Sequence, residues 1–393
     1  MTIFNQSKER LDTSAKLHTQ TNYQYLNQSG TPYAQKIREV LNNCFDLYDY
    51  DEAEKKEILQ RIRGSNEVNF HSACFELFVN ALLVNQGYKL LPHPVLEHSA
   101  KHPDFLVTSP SGEEFYLELV TGVEDTHSSH LNSILDVFEK NSHPNFFISI
   151  QHNNGEMSSS PKTSDLKRTI FNWLDSLNPD EVLDEIKEGM KNNTGSIFDG
   201  PSIKWTHEAF EIKMTALPVS LEKRGKTTRL YGISSSGVVC LNNDEIIRSS
   251  LKAKSGRYGD LDKPFIIATA LRPSHFKFGI DEDDKKQALL GSYQPILNLE
   301  TNTSEINFSG QGFWIYNSKP INTRVSGVWF FNNIDCYSLE GLESDLFINP
   351  WSQINLNQAL NEFPKTTIDL MNTNLFKKTN GTVNPIDILM MEK

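Results

Sequence analysis

Two acidic residues, Asp104 and Glu118, stand at equal distances on either side of a predicted turn. The turn is the Ser-Pro-Ser-Gly stretch at 109–112, which separates two apolar-alternating runs typical of a β-hairpin. In an antiparallel pair folded about Ser111, position 104 lies opposite position 118, with Cβ atoms about 4.5–5.5 Å apart. Carboxylates at that distance repel each other unless a cation lies between them, and a divalent cation with oxygen ligands is the usual solution. The spacing therefore predicts a cation site.

A third acidic residue, Glu76, lies in the strongest predicted helix of the chain, residues 69–89. From Ala73 to Val84 ten of twelve residues are apolar, and the exceptions are Glu76 and Asn80. Together with Ser72 they fall at i, i+4 and i+8, which places a polar stripe along an otherwise buried helix. Because a buried carboxylate is costly unless it is paired, we expect the stripe to face a polar site or a solvent channel. A structural ion pair with an arginine is the alternative for Glu76.

A helix that carries Glu76, followed by Pro103-Asp104 on one strand and Glu118 on the next, resembles the PD-(D/E)XK superfamily, the fold of many restriction endonucleases and repair nucleases. The resemblance covers residues 66–152 and rests on the combination of helix, hairpin and spacing. It implies that Asp104 and Glu118 bind Mg²⁺ or Mn²⁺ and that Glu76 completes the metal shell. It also implies a nuclease that hydrolyses phosphodiester bonds in DNA, in bacterial defence or DNA maintenance.

The lysine that this superfamily places two residues after the second acid is replaced by Val120, which can neither carry charge nor donate a hydrogen bond. Lys101, three residues before Asp104, is the nearest basic substitute in sequence and the candidate for that catalytic role. Some members of the superfamily take the lysine from elsewhere. A catalytically inactive nuclease-fold protein that binds nucleic acid or a protein partner is therefore the alternative function.

A second similarity extends over more of the chain. The segments PDFLV, FYLELV, NWLDSLNPDEVL, SGRYGDLDKPFIIAT and INPW are similar, in order, to an uncharacterised group of bacterial proteins of about this length. Members of that group often have no lysine at the position of Val120. This similarity supports the fold more than any activity.

The remaining periodicity predicts an α/β fold, which by the resemblance is a restriction-endonuclease-like mixed β-sheet flanked by helices. A helix over 127–140 and an apolar strand over 145–151, typical of a sheet centre, follow the hairpin. Another helix over 243–258 leads to a buried strand over 263–271. We divide the chain into a helical N-terminal segment (1–65), the α/β core with insertions (66–275) and an α/β C-terminal extension (276–393).

The formal charge of -12 is unevenly distributed, since residues 201–275 contain twelve Lys or Arg against seven Asp or Glu. Within them Lys223, Arg224, Lys226 and Arg229 surround a glycine. Such a loop could bind the phosphates of nucleic acid through charge and exposed amides. A solvated loop with mixed charges is the alternative.

Other interpretations of the acidic residues need no metal. Asp104 could simply start a strand after Pro103, and Glu118 could lie on the solvent face of an edge strand. The histidines of PHPVLEHSAKH do not have the spacing of a zinc site on a strand, and no cysteine lies near them.

The cellular context follows from what the sequence lacks. The N-terminus has no basic and apolar secretory pattern, and no run of 18 apolar residues predicts a membrane span. The four cysteines form no C-x-x-C pair, which predicts reduced thiols in the cytoplasm. The oligomeric state stays open, and a homodimer is compatible with the sequence.

Overall fold

The chain folds into two compact units in the computed structural model. The first unit comprises Met1–Thr13, Asn22–Asp125 and Leu241–Lys393, and the second comprises Ser14–Thr21 and Thr126–Cys240. Most of the second unit is therefore one continuous insertion into the first. The residues that the structure describes are 1–123, 129–152, 155–192, 200–227, 229–231, 243–272, 281–298, 303–332, 342–370 and 375–389.

Ten α-helices lie within the described residues. They are α1 (Asn22–Gln28), α2 (Pro32–Asp46), α3 (Glu52–Arg63), α4 (Glu67–Asn85), α5 (Ser129–Glu139), α6 (Thr163–Asp175), α7 (Pro179–Lys191), α8 (Asn243–Ser255), α9 (Glu282–Leu290) and α10 (Pro385–Leu389). Helices α5, α6 and α7 belong to the second unit, and the others belong to the first.

Fifteen β-strands lie within the same described ranges. They are β1 (Lys89–Pro92), β2 (Phe105–Thr108), β3 (Glu114–Val123), β4 (Phe146–His152), β5 (Ser202–His207), β6 (Phe210–Pro218), β7 (Phe265–Arg272), β8 (Ser292–Asn298), β9 (Thr303–Ser309), β10 (Ile315–Tyr316), β11 (Lys319–Pro320), β12 (Gly327–Asn332), β13 (Glu343–Ile348), β14 (Lys365–Ile368) and β15 (Phe376–Thr379). Two pairs, β8–β9 and β10–β11, form separate two-stranded sheets.

An eight-stranded mixed sheet forms the centre of the first unit, in the order β1-β2-β3-β7-β12-β13-β14-β15. Strand β7 pairs in parallel with both β3 and β12, and β13 pairs in parallel with β14. The other neighbours are antiparallel. In sequence, the step from β3 to its parallel partner β7 includes the second unit and helix α8. The predicted mixed α/β class, with helices flanking the sheet, is confirmed.

Each face of this sheet has its own apolar core, because side chains alternate along a strand. Leu117 of β3 belongs to the core that contains the apolar residues of α4. Its neighbours Tyr116 and Val120 belong to the other core, together with Ile247 and Leu251 of α8. The alternation predicted for the hairpin is confirmed, and it separates α4 from α8 by the thickness of the sheet.

Helix α4 has clear start and stop signals. The side chain of the N-cap residue Asn66 accepts a hydrogen bond from the backbone N–H of Asn69 at 3.1 Å. After the helix, Gly87 adopts a φ of 81°, a left-handed conformation that glycine tolerates without strain. Its N–H donates to the carbonyl of Val84 at 2.9 Å. The helix predicted over 69–89 is therefore confirmed, with observed bounds Glu67–Asn85.

The second unit contains an antiparallel sheet in the order β4-β6-β5 and a separate apolar core. The interpretation of residues 145–151 as a central strand was wrong, although a strand exists there. Strand β4 pairs with β6 in this small sheet, and the parallel partner of β3 is β7. An apolar run predicts that a strand is buried but not in which sheet, which explains the error.

Two further observations bear on the cellular context. Among the described residues, no helix combines the length and the apolar character that crossing a bilayer requires. Cys44 and Cys74 are buried thiols. Cys240 and Cys336 lie outside the described residues.

Candidate active site

The predicted hairpin register is confirmed. Phe105 pairs with Leu117, and Thr108 pairs with Glu114, so the strands fold about position 111 as expected. Asp104 directly precedes Phe105, the first paired residue of β2. Glu118 directly follows Leu117, the partner of Phe105 on β3. The backbone N–H of Leu119 donates to Asp104 Oδ2 at 2.6 Å, which holds the aspartate against β3.

Asp104 lies in an environment that disfavours its charge. Burial, followed by the negative charge of Glu118, raises the pKa of Asp104 to about 7, against the opposing effect of the Leu119 N–H. The positive charge of Lys254 also opposes the rise, whereas Glu76 contributes weakly to it. The two hairpin acids therefore interact electrostatically, as the symmetric spacing suggests.

This shift predicts a pH-dependent stability. Between about pH 4 and pH 7 the folded protein holds a proton on Asp104 that the unfolded chain has released, so stability falls as the pH rises through this window. Asparagine carries no charge and can still accept the Leu119 N–H. In metal-free buffer we expect the stability of Asp104→Asn to rise relative to that of the native protein on going from pH 4 to pH 8, by up to about 4 kcal/mol. Urea unfolding at several pH values measures this, and a pH-independent difference would contradict it.

Glu118 is 1% exposed, and both of its oxygens have partners. Lys254 of α8 donates from Nζ to Oε1 in an ion pair. The hydroxyl of Tyr258 donates to Oε2 at 2.5 Å. Arg257 Nη1 lies 3.8 Å from Oε1, at the more open side of the group. A buried carboxylate thus faces two cations and a phenol, all from the C-terminal end of α8 and the turn after it.

Helix α8 positions Lys254 by its own amphipathic pattern. Ile247, Leu251, Lys254 and Tyr258 follow each other at i, i+4, i+7 and i+11, the spacing of one helix face. The three uncharged members pack in the core that covers the Glu118 side of β3. Lys254 therefore lies on the same side of β3 as Glu118. Val120 is buried in that core.

Glu76 has a different set of partners. Arg61 of α3 donates from Nη1 to Oε2 at 2.7 Å, and the hydroxyl of Tyr48 donates to Oε1 at 2.6 Å. Arg61 also reaches Ser72 Oγ at 2.9 Å. Burial acts to lower the pKa of Arg61, but the charge of Glu76 and its hydrogen bond outweigh this and raise it. The structure thus shows an arginine ion pair at Glu76.

The remaining member of the polar stripe is also satisfied within the protein. Tyr50 donates its hydroxyl hydrogen to Asn80 Oδ1 at 2.7 Å, and Asn80 Nδ2 donates to the carbonyl of Leu47 at 3.2 Å. The stripe of α4 therefore does face polar groups, as expected. Those groups come from α3 and from the segment that precedes it.

The three acidic residues do not form one group of metal ligands. Within the part of the chain that the structure describes, no three His, Cys, Asp or Glu side chains are arranged to hold a metal ion. Helix α4 packs on one face of the sheet, and Glu118 belongs to the α8 face. Asp104 and Glu118 remain as a pair, and the charge of Glu76 acts on Asp104.

Lys101, the basic residue expected in this site, is exposed in the turn before β2. Its backbone N–H donates to Ser99 Oγ at 3.0 Å, and no ion pair joins its ammonium to a carboxylate of the described residues. The cation on Glu118 is instead Lys254, which lies inside the predicted helix over 243–258. A single lysine on an otherwise buried helix face was the sequence signal for it.

The predicted phosphate-binding loop lies in the second unit, around a short 3₁₀-helix at Leu221–Lys223. Arg224 is paired with Asp180, with Nη2 at 2.6 Å from Oδ1. The N–H of Gly225 donates to the carbonyl of Pro144 at 2.9 Å, and that of Lys226 donates to the carbonyl of Lys223. These two amides are therefore already used within the protein. Lys223, Lys226 and Arg229 are exposed.

Comparisons with protein-family models, with curated protein sequences and with solved structures gave no match to this chain. The case for a function therefore rests on the geometry of Asp104, Glu118 and Lys254.

Proposed function

We propose that this protein is a metal-dependent phosphodiester hydrolase with a restriction-endonuclease-like core, in which Asp104 and Glu118 hold Mg²⁺ or Mn²⁺. The observation that carries the proposal is the ion pair between Lys254 and the buried Glu118. It supplies, from helix α8, the cation that is missing at Val120. Helix α4, the hairpin and its two acids also have the combination on which the family resemblance rests.

The donor set of this pair fits a small divalent cation. Asp104 and Glu118 offer carboxylate oxygens, which Mg²⁺ and Mn²⁺ prefer. Asp104 Oδ2 accepts the Leu119 N–H, and no hydrogen bond from a described residue reaches Oδ1. The half-buried Asp104 and the buried Glu118 repel each other, and a dication would stabilise both carboxylates. With two protein ligands, the ion would keep several waters, as is common for Mg²⁺.

In hydrolysis, such an ion would supply a water of lowered pKa and would neutralise charge on the scissile phosphate. Lys254 places a positive charge beside Glu118, where it can orient the attacking water and stabilise the developing negative charge. Tyr258 fixes the Glu118 carboxylate through Oε2. Arg257, half exposed beside the same group, is placed to contact a substrate phosphate.

We propose nucleic acid as the substrate class, and DNA rather than RNA as the first candidate within it. The exposed cations Lys223, Lys226 and Arg229 of the second unit can add phosphate contacts that do not depend on sequence. Residues 201–231 of this basic region belong to the second unit, and residues 243–272 belong to the first. The buried thiols of Cys44 and Cys74 support a reducing compartment, and we propose the cytoplasm.

A second candidate is a nuclease-fold protein that binds nucleic acid or a protein partner without turnover. The observation in its favour is that Lys254 and Tyr258 already bind the two oxygens of Glu118. Binding that is strong in EDTA and is followed by no cleavage would support this candidate.

The proposal is tested by incubating the native protein with supercoiled and linear DNA, and with RNA, in Mg²⁺, Mn²⁺ or EDTA. We expect cleavage only with a metal ion. Asp104→Asn is expected to slow it about a hundredfold, because the substitution removes a charged ligand. Lys101→Ala, which changes a nearby exposed residue, is the matched control. Its cleavage rate should stay within about twofold of the native rate. Cleavage that survives Asp104→Asn would exclude the proposed site, and no cleavage under any condition would exclude the activity.

A further inference from the structure

Lys254 occupies the position on Glu118 that a metal ion would need. Its ammonium is bonded to Oε1, while Oε2 is taken by the hydroxyl of Tyr258. Glu118 itself is almost completely buried, so solvent offers no third route to the carboxylate. With one donor on each oxygen and the carboxylate shielded from solvent, we expect an ion that binds Glu118 to displace one of the two donors.

The two donors differ in how easily they can leave. Tyr258 is buried, and its ring packs edge-on against Phe265 at 5.7 Å. Lys254 has a side chain that is 22% exposed and a flexible four-carbon stem. Its ammonium can move toward solvent, whereas the Tyr258 hydroxyl cannot move without disturbing the core. The charge of Lys254 also repels an approaching cation, and the hydroxyl carries no charge.

We infer that Lys254 and the divalent cation compete for Glu118, so that Lys254 weakens metal binding even though it is required for turnover. This inference rests on the proposed function. Without the ion, the ammonium serves as an internal counter-charge for the buried carboxylate. With an ion bound, Lys254 would leave Oε1, and its ammonium could then orient a water and contact a phosphate. One lysine thus acts in turn as a substitute for the metal and as a group that positions the water.

The competition predicts that a single substitution at Lys254 strengthens metal binding and slows cleavage. In Lys254→Met the stem is retained and the charge is lost. We expect the dissociation constant for Mn²⁺ to fall about tenfold, which corresponds to about 1.4 kcal/mol, while cleavage slows. Loss of an ordinary ligand, as in Asp104→Asn, should instead weaken both binding and cleavage.

Mn²⁺ binding to the full-length protein is measured by calorimetry and by the electron paramagnetic resonance signal of the free ion, without DNA. Lys252→Met is the matched control: the same substitution at an exposed position on the same helix should leave the dissociation constant unchanged. Arg257→Met tests the second cation, whose side chain is 43% exposed at 3.8 Å from Oε1. Because solvent screens the charge of Arg257, this substitution should change the dissociation constant for Mn²⁺ by less than threefold.

The outcomes separate the inference from the proposed function. Tighter Mn²⁺ binding by Lys254→Met that disappears when Glu118→Gln is added would support the competition at this carboxylate. Unchanged or weaker binding by Lys254→Met, with metal-dependent cleavage by the native protein, would overturn the competition and leave the function in place. Failure of the native protein and of Lys254→Met to bind Mn²⁺ at millimolar concentration would overturn both.

Discussion

Glu118→Gln is expected to reduce metal-dependent cleavage by about a thousandfold, the largest loss of activity for a single substitution in this protein. Glu118 is at once a proposed metal ligand and the group that holds Lys254 in place. Glutamine retains the shape and can still accept the Tyr258 hydroxyl, but it has no charge for either cation. A loss of about 4 kcal/mol in transition-state stabilisation corresponds to this factor.

Single-turnover cleavage rates at saturating metal measure this loss. Glu114→Gln is the matched control, because it makes the same change on the same strand at a more exposed residue. We expect it to keep the native rate within about twofold. Circular dichroism establishes that the Glu118→Gln protein is folded. A folded Glu118→Gln protein that cleaves within tenfold of the native rate would contradict the assignment of Glu118.

Arg61→Met should lower the free energy of unfolding of the first unit by about 3 kcal/mol. The substitution removes the cation from Glu76, which is 8% exposed and would keep the Tyr48 hydroxyl as its one hydrogen-bond partner among the described residues. It also leaves the Ser72 hydroxyl without the guanidinium. An uncompensated buried charge is among the few single changes with so large an effect.

Hydrogen exchange at the amides of α4 under increasing urea reports the stability of this unit separately from the other. Adding Glu76→Gln to Arg61→Met should recover much of the loss, because it removes the stranded charge. Glu57→Gln removes the other carboxylate near Arg61, at 3.4 Å on the surface, and should cost less than about 0.5 kcal/mol. A loss in Arg61→Met no larger than in Glu57→Gln would refute the importance of this pair.

The parts of the site that depend on local periodicity could be predicted from the sequence. The turn centre alone specifies the pairing of Phe105 with Leu117, and with it the nearness of Asp104 to β3. Alternation along β3 places Glu118 and Val120 on the same face. The polar stripe of α4 follows from helical spacing in the same way.

The partners of these residues could not be predicted, because they are distant in sequence. Lys254 is 136 residues from Glu118, and the intervening second unit hides the relation between their elements. Lys101 is only three residues from Asp104, but the turn before β2 leaves it in solvent. Glu76 forms its ion pair with Arg61 of α3, and the spacing of residues within α4 contains no information about that neighbour.

The long separation between Glu118 and Lys254 also has a consequence for synthesis on the ribosome. The hairpin with both acids is complete well before α8 and β7 are translated. At about 5–20 residues per second, Lys254 is added roughly 7–27 s after Glu118. During that interval the nascent hairpin has neither its counter-charge nor the strand that covers the open edge of β3. The growing chain is therefore vulnerable to mispairing at this edge, and the inserted unit sets how long that exposure lasts.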